Sequence, residues 1–241
     1  MSYHTIIAKL GGNIIENRKN LKSTISQFKQ ICEYNLVQKI VIVPGGGSYA
    51  NFVRMLDKKI NIGDDLSHWM AIFAMNSNGI TINQQYSELT CYSNLDQLKK
   101  SKKKIIIFLP YDYFYQLDDL PHSWDVTSDS ITLYIAHQLG LKDCFLIKDI
   151  DGIISTNNKI LREISTSEYK NLKEMNQIFT EQSNQEDIKL SRPIDSYLLN
   201  LINKYKINCI ILNGSSNKKR IINYFNESED DNTLLYTKII A

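Results

Sequence analysis

The chain has 241 residues, of which 43% are hydrophobic and 22% are charged, and this is enough for one large domain with a buried core. Its 28 basic and 26 acidic residues nearly balance, which gives no indication of a nucleic-acid or membrane partner. The four cysteines form no CxxC pair, so they indicate buried thiols in a reducing, cytoplasmic compartment rather than zinc ligands or disulfides. We expect no secretion signal, because the N-terminus runs directly into an apolar strand.

Several short apolar runs predict buried strands, and segments with the i, i+3, i+4 apolar spacing of helices separate most of them. The predicted strands are Thr5–Leu10, Lys39–Val43, Ile105–Leu109, Asp143–Lys148 and Cys209–Leu212. The predicted helices are Leu21–Glu33, Tyr49–Leu56, Ser130–Leu139 and Ser196–Tyr205. Because the strands are almost continuously apolar and alternate with helices, they predict an α/β fold with a mainly parallel sheet that is covered on both faces.

A polar segment over residues 157–191 differs from the rest of the chain. It is rich in Asn, Glu, Lys and Ser and has few long apolar runs, although Ile160–Ile164 is a candidate short strand. We interpret the segment as a surface excursion or a lid.

Two of the predicted strands end in glycine-rich turns, which read KLGG at 9–12 and PGGGS at 44–48. Glycine N–H groups can converge on one anion because no Cβ interferes, and a following helix N-terminus adds positive potential. Two such turns, one of them led by Lys9, favour phosphate binding over tight turns that bind nothing. Neither turn has the P-loop pattern, and no dinucleotide-binding glycine pattern is present.

A third polar group, DVTSDS at 125–130, opens a predicted helix. Helix capping alone would explain Thr127, Ser128 or Asp129. Capping does not require two carboxylates four residues apart, Asp125 and Asp129, beside two hydroxyls, whereas a phosphoryl-transfer site uses such a cluster to orient lysines and bind the acceptor. Further along, KDIDG at 148–152 ends a strand, where α/β sheets collect their ligands.

In this order, the motifs resemble those of the amino acid kinase superfamily, which includes acetylglutamate, uridylate, aspartate and isopentenyl phosphate kinases. The resemblance rests on KLGG at 9–12, VPGGGS at 43–48, DVTSD at 125–129, KDIDGI at 148–153 and ILNG at 211–214. It implies a single three-layer αβα domain over residues 1–241, with an acceptor-binding half at about 1–140 and an ATP-binding half at about 141–241. It also implies a kinase that uses ATP and Mg²⁺ and assembles as a homodimer or higher homo-oligomer.

The resemblance suggests roles for individual residues. Lys9 is similar to the lysine that bridges donor and acceptor phosphates, and Asp129 is similar to the carboxylate that holds the catalytic lysine. The residues expected on the nucleotide side are Gly11, Gly12, Lys148, Asp149, Asp151 and Gly152. The residues expected on the acceptor side are Gly45, Gly46, Gly47, Asp125, Thr127 and Ser128. Arg54, one to two helical turns past the triple-glycine turn, is a further candidate for binding the acceptor phosphate, and a surface arginine is the alternative. No residue is assigned to a metal, because Mg²⁺ would be held mostly by nucleotide oxygens and water.

Two segments, residues 68–75 and 120–130, resemble one branch of the superfamily, the [5-(aminomethyl)furan-3-yl]methyl phosphate kinases of methanofuran-type cofactor biosynthesis. That branch converts a phosphate monoester to a diphosphate. On this resemblance the acceptor is a small molecule that already carries a phosphate, and Asp125 is a candidate partner for its ammonium group. A uridylate, isopentenyl phosphate or carboxylate kinase and a non-catalytic nucleotide-binding relative remain alternatives.

One expected group is missing from its usual place. Many members of the superfamily supply a second catalytic lysine from a Gly-Met-x-x-Lys segment, whereas this chain reads KLSRPIDS at 189–196. Lys189 and Arg192 are candidate substitutes, and a solvated loop ahead of a helix is the alternative. The sequence therefore leaves the second cation unassigned.

Two aromatic groups are ambiguous. His68 and Trp69 lie on a stretch with helical apolar spacing, which favours core packing, and the alternative is a pocket wall against a flat ring of the acceptor. Three tyrosines follow a predicted strand at alternate positions, Tyr111, Tyr113 and Tyr115. They are candidates for a pocket rim or for a dimer surface.

Overall fold

The computed structural model describes residues 3–178, 193–226 and 234–241, and its central feature is one eight-stranded sheet. The strands are β1 (Tyr3–Leu10), β2 (Val37–Pro44), β3 (Thr90–Tyr92), β4 (Ile105–Phe108), β5 (Asp143–Lys148), β6 (Glu163–Ser165), β7 (Asn208–Asn213) and β8 (Thr237–Ile240). They lie in the order β3-β4-β2-β1-β5-β7-β8-β6, and every neighbouring pair is parallel except β7 and β8. The predicted, mainly parallel sheet is confirmed.

Ten helices in the described part of the chain connect or flank these strands. They are α1 (Gly12–Glu16), α2 (Arg18–Glu33), α3 (Gly47–Ile60), α4 (Asp64–Gln85), α5 (Leu95–Lys100), α6 (Tyr111–Leu117), α7 (Ser128–Gln138), α8 (Thr166–Glu174), α9 (Leu198–Tyr205) and α10 (Arg220–Phe225). Within those ranges, none is long and apolar enough to span a bilayer.

Two hydrophobic clusters hold the helices against the sheet. Successive side chains of a strand point to opposite faces, and in β1 Ile7 belongs to one cluster while Ile6 belongs to the other. Phe28 of α2 packs in the cluster of Ile6, and Leu133 of α7 and Ile202 of α9 pack in the cluster of Ile7. The predicted α/β fold, with a sheet buried on both faces, is therefore confirmed.

The sequence located β1, β2, β4, β5 and β7, and its candidate short strand Ile160–Ile164 overlaps β6 at residues 163 and 164. It did not predict β3 and β8, which have three and four residues and lack the continuous apolar run that identified the four-residue β4. The interpretation of 157–191 as a surface excursion or a lid is wrong for residues 165–174, which complete β6 and form α8 and bury Tyr169. Its remaining part from residue 179 lies outside the described residues.

The connection that follows β5 is fixed by packing against β8 and α10. Gly152 has a φ of 145°, and a Cβ atom there would lie 2.5 Å from Thr237 Oγ1. One residue earlier, an Asp151 oxygen lies 3.1 Å from Arg220 Nε. These contacts give Asp151 and Gly152 a structural role that does not depend on a ligand.

We expect Gly152→Ala to lower the free energy of unfolding by about 3 kcal/mol, because the new methyl group adds an overlap to the strain of an L-residue at positive φ. Gly140→Ala is the matched control, since Gly140 also has a positive φ of 68° but nothing within 4 Å of the added Cβ. The control should cost only about 1 kcal/mol. Urea unfolding of both variants measures the difference, and equal losses would contradict the packing argument.

Candidate active site

Two lysines and one aspartate meet at the carboxyl ends of β1 and β5. Lys9 is the penultimate residue of β1, and Lys148 is the last residue of the parallel neighbour β5. Asp129, in the first turn of α7, lies between them. The Nζ atom of Lys9 is 2.8 Å from Oδ1, and the Nζ atom of Lys148 is 2.8 Å from Oδ2. One carboxylate therefore holds two ammonium groups.

Burial strengthens the interactions within this Lys9–Asp129–Lys148 group. Lys9 and Asp129 are 7% and 3% exposed. Burial raises the pKa of Asp129, but the two lysines outweigh it and lower the pKa to about 2, so the carboxylate is ionised. Burial also lowers the pKa of Lys9, and Asp129 opposes that shift. An ammonium has three hydrogen-bond donors, so contact with Asp129 leaves donors of both lysines for a ligand.

Asp195 sets the position of the first turn of α7. Its Oδ2 atom accepts hydrogen bonds from the N–H groups of Thr127 at 3.0 Å and Ser130 at 2.9 Å, and its Oδ1 atom accepts from the Leu198 N–H at 2.8 Å. The hydroxyls of Thr127 and Ser130 also donate to it. This one carboxylate caps both α7 and α9. It therefore fixes where α7 begins and, with it, the position of Asp129.

The two glycine-rich turns touch each other beside the lysines. A Cβ on Gly12 would lie 2.7 Å from the Cα of Gly47, and a Cβ on Gly45 would lie 3.2 Å from the Cε of Lys9. Only glycine allows this close approach of one backbone to another. The turns therefore form a continuous surface next to the ammonium groups.

The expectation that the glycine N–H groups of these turns converge on an anion is wrong for Gly11 and Gly45. The Gly11 N–H donates to a β5 carbonyl at 2.8 Å, and the Gly45 N–H donates to a β1 carbonyl at 2.8 Å. These bonds extend the sheet into the turns. The amides that remain as candidate anion donors are those of Gly12, Gly46 and Gly47, at the N-termini of α1 and α3.

Two side chains that the sequence analysis did not single out hold the second turn. Asn78 of α4 is buried and donates from Nδ2 to the Gly45 carbonyl at 2.7 Å. The Glu16 carboxylate accepts a hydrogen bond from the Ser48 N–H at the start of α3. Neither residue belongs to a glycine or aspartate motif, and only the packing of α1 and α4 beside the turn gives them this position.

A cleft of about 530 Å³ contains nearly all of the candidate site residues. All of those named from the sequence line it except Asp151 and Gly152, whose contact with nucleotide stays a prediction. Asp149 lies at the cleft and accepts a hydrogen bond from Asn13 Nδ2 at 2.8 Å. The structure thus brings the two predicted halves of the site into one cavity.

The acceptor-side candidates differ in how they are used within the protein. Both polar groups of Thr127 bind Asp195, so this residue has a structural role. Asp125 accepts a hydrogen bond from the Ser196 hydroxyl at 2.8 Å and lines the cleft. The guanidinium carbon of Arg54 lies 4.5 Å from the ring centroid of Trp124, also at the cleft.

The aromatic residues of α4 divide between the two alternatives left open by the sequence. His68 is buried and lines the cleft. Trp69, the next residue, packs against the core and makes edge contacts with Tyr111 and Tyr115. Those two tyrosines stack on each other within α6, and a role in a dimer surface stays a prediction.

Comparison with known proteins agrees with this geometry. The family model described as the amino acid kinase family matches residues 4–213. The chain belongs to the amino acid kinase family. Because this is a family of phosphotransferases, the chain is a kinase of that family.

One sequence relative and two solved structures extend the comparison. The kinase is 32% identical to a Methanocaldococcus jannaschii protein named [5-(aminomethyl)furan-3-yl]methyl phosphate kinase. The match covers 98% of this chain and 97% of the relative. UMP kinase from Ureaplasma parvum matches with a TM-score of 0.68, 16% identity and full coverage of both chains. Uridylate kinase from Archaeoglobus fulgidus matches with a TM-score of 0.65 and 11% identity over 98% of this chain and 99% of its own. The two structures support the fold.

A second lysine lies beside Lys9, away from the segment in which the superfamily motif would supply it. Lys189 and Arg192, the candidate substitutes, lie outside the described residues. Lys148, assigned from the sequence to nucleotide contact alone, shares Asp129 with Lys9. The pairing of β1 with β5 explains this contact: Lys9 lies opposite Leu146, so Lys148, two residues further along β5, points to the same face of the sheet.

We expect Asp195→Ala to lower the free energy of unfolding of the kinase by about 4 kcal/mol, because several buried N–H and O–H donors lose their acceptor together. Asp195→Asn should cost less, because the amide oxygen can still accept. The control is Asp112→Ala, an exposed aspartate in the first turn of α6, which should change stability by about 0.5 kcal/mol at most. Losses of similar size for Asp195→Ala and the control in urea unfolding would contradict the capping role.

Proposed function

We propose that this kinase transfers the γ-phosphoryl group of ATP to a small-molecule phosphate monoester and produces a diphosphate. The observation that carries the proposal is the Lys9–Asp129–Lys148 group, which lies beside two touching glycine-rich turns in one cleft. A cleft with this composition suits a reaction in which both partners present anionic oxygens.

The charge of the site supports a transfer between two phosphates. Two ammonium groups share one carboxylate, so the group keeps one net positive charge in a largely buried position. Low local dielectric strengthens attraction of that charge to phosphoryl oxygens. Arg54, at the acceptor side of the cleft, adds a planar guanidinium that can bind a phosphate through two hydrogen bonds.

The proposed reaction is a direct displacement at the γ-phosphorus of ATP. An oxygen of the acceptor phosphate forms the new P–O bond, the bond between the γ-phosphorus and the β,γ-bridging oxygen breaks, and ADP leaves with the electron pair. No general base is needed, because the attacking oxygen is already anionic. The chain contributes alignment of the two phosphates and neutralisation of the charge that spreads over the phosphoryl oxygens.

Within this mechanism we assign Lys9 and Lys148 to opposite sides of the transferred group. Asp129 holds both ammonium groups at fixed positions, which removes the cost of ordering two flexible side chains during the reaction. Lys148 then takes the place of the second lysine that the Gly-Met-x-x-Lys segment would supply. The amides of Gly12, Gly46 and Gly47 are the backbone donors proposed to face phosphate oxygens.

Mg²⁺ remains part of the proposal as a partner of ATP. Within the described residues, no cluster of three or more His, Cys, Asp or Glu side chains could hold a metal ion. In this proposal the ion would be bound chiefly by ATP oxygens and water, as is usual for Mg²⁺ with nucleotides, and it would supply further neutralisation of phosphate charge.

The acceptor to test first is [5-(aminomethyl)furan-3-yl]methyl phosphate, called aminomethylfuran phosphate below. It is the substrate in the name of the relative with 32% identity, and it is a phosphate monoester. Asp125, which lines the cleft, is a candidate partner for the ammonium group of this molecule.

We expect the purified kinase with ATP and Mg²⁺ to phosphorylate aminomethylfuran phosphate. UMP, isopentenyl phosphate and aspartate are tested in parallel as alternative acceptors. ADP release identifies turnover, and ³¹P NMR distinguishes a diphosphate product from an acyl phosphate. The kinase without acceptor is the control for background ATP hydrolysis. No turnover with any phosphate monoester would contradict the proposed function.

We expect Lys148→Met to lower kcat by about 100-fold or more with a smaller change in KM for ATP, because a cation that acts on the transition state is lost. Lys170→Met, at an exposed position of α8, is the matched control and should keep full activity. A thermal melt checks that the variant is folded. A loss of less than about threefold in kcat would show that Lys148 is not the second catalytic cation.

A further inference from the structure

A histidine in the acceptor side of the cleft has no role in the mechanism above. His68 of α4 is 7% exposed and lines the cleft. Among the described residues neither of its ring nitrogens has a hydrogen-bond partner. Neither nitrogen is among the fully buried polar atoms that lack a partner in the described residues, so this side chain can present a donor and an acceptor to a ligand in the cleft.

His68 lies less than one helical turn from the point where α4 approaches the second glycine-rich turn. Three residues further along α4, the Ala71 carbonyl oxygen lies 3.5 Å from where a Cβ on Gly46 would be. Three residues of helix correspond to a rise of about 4.5 Å. A molecule with one small ring can therefore hold its phosphate at the second glycine-rich turn and reach His68 with its other end.

Neighbouring groups keep His68 neutral. Burial lowers the pKa of His68 to about 4, and the charge of His122 adds to that shift. The His122 ring stacks on the His68 ring with centroids 4.3 Å apart. A neutral imidazole at ordinary pH can accept a hydrogen bond from a cation without repelling it.

His122 is itself held between two carboxylates. Its Nδ1 and Nε2 atoms each lie 2.6 Å from an oxygen, one of Asp65 and the other of Asp118. Both ring nitrogens must carry hydrogens to make these bonds, and although burial opposes it, the two carboxylates raise the pKa of His122. The Asp65–His122–Asp118 cluster therefore carries one net negative charge behind the neutral His68 ring.

We propose that His68 is a specificity-determining residue that accepts a hydrogen bond from a primary ammonium group on the acceptor, at the end opposite its phosphate. This inference rests on the proposed function and assigns the acceptor to a class, small cyclic amines that carry a phosphate ester. The Asp65–His122–Asp118 cluster acts through His68, by fixing the orientation of its ring and by favouring a cation in front of it.

The test compares two acceptors that differ only in the amine. One is aminomethylfuran phosphate, and the other carries a hydroxymethyl group in place of the aminomethyl group. The wild-type kinase should prefer the amine by about 10- to 100-fold in kcat/KM, the range of one charge-assisted hydrogen bond. In His68→Leu the preference should fall to within about threefold of unity, mainly through a higher KM for the amine.

Three further variants sharpen the comparison. His137→Leu replaces an exposed histidine of α7 that stacks on Tyr205, and it should keep the wild-type preference. His68→Gln retains an accepting oxygen and should keep part of the preference. This variant also tests the inference if His68→Leu does not fold. Asp118→Asn should reduce the preference only partly.

The outcomes separate this inference from the proposed function. An unchanged preference in both His68 variants would overturn the inference, as would a preference that disappears in Asp125→Asn and persists in His68→Leu. Equal use of both acceptors by the wild-type kinase would overturn it while leaving the proposed function intact. No turnover of any phosphate monoester by the wild-type kinase would overturn the proposed function, and this inference with it.

Discussion

The structure depends on one buried carboxylate that holds two ammonium groups. Asp129 is 3% exposed, and either lysine without it would be a buried cation with no partner. The arrangement requires β1 and β5 to be neighbours, so that Lys9 and Lys148 reach the same point, and it requires α7 to begin there. Asp195, which is distant from α7 in the sequence, fixes the start of this helix by capping it.

The net positive charge left by this arrangement has a consequence for stability. Two ammonium groups held close together repel each other, and one carboxylate compensates only part of that repulsion. A phosphate ligand in the cleft would supply the missing negative charge, so ATP or acceptor should stabilise the folded kinase by the linkage of binding to folding. In such a site the repulsion lowers the stability of the ligand-free protein, and the charges are already in position when a phosphate binds.

The sequence predicted the features that depend on neighbouring residues. Apolar runs identified the central strands, and the glycines at 11–12 and 45–47 identified turns where two backbones approach closely. It did not predict the contacts between distant residues, such as Lys148 with Asp129 or Asp195 with Ser130, because strand order and helix packing decide them. It also overestimated the free amides, since sheet hydrogen bonds that use Gly11 and Gly45 depend on which strands are adjacent.

Two groups of opposite net charge lie near the cleft, one lining it and the other packed against His68. The Lys9–Asp129–Lys148 group has an excess of positive charge, whereas the Asp65–His122–Asp118 cluster has an excess of negative charge, with neutral His68 in front of it. A molecule with a phosphate at one end and an ammonium at the other would match the sign of each group. Asp65 and Asp118 are largely exposed, so solvent screens their charge. Short-range contacts with His68, rather than long-range attraction, would therefore decide a preference for such a molecule.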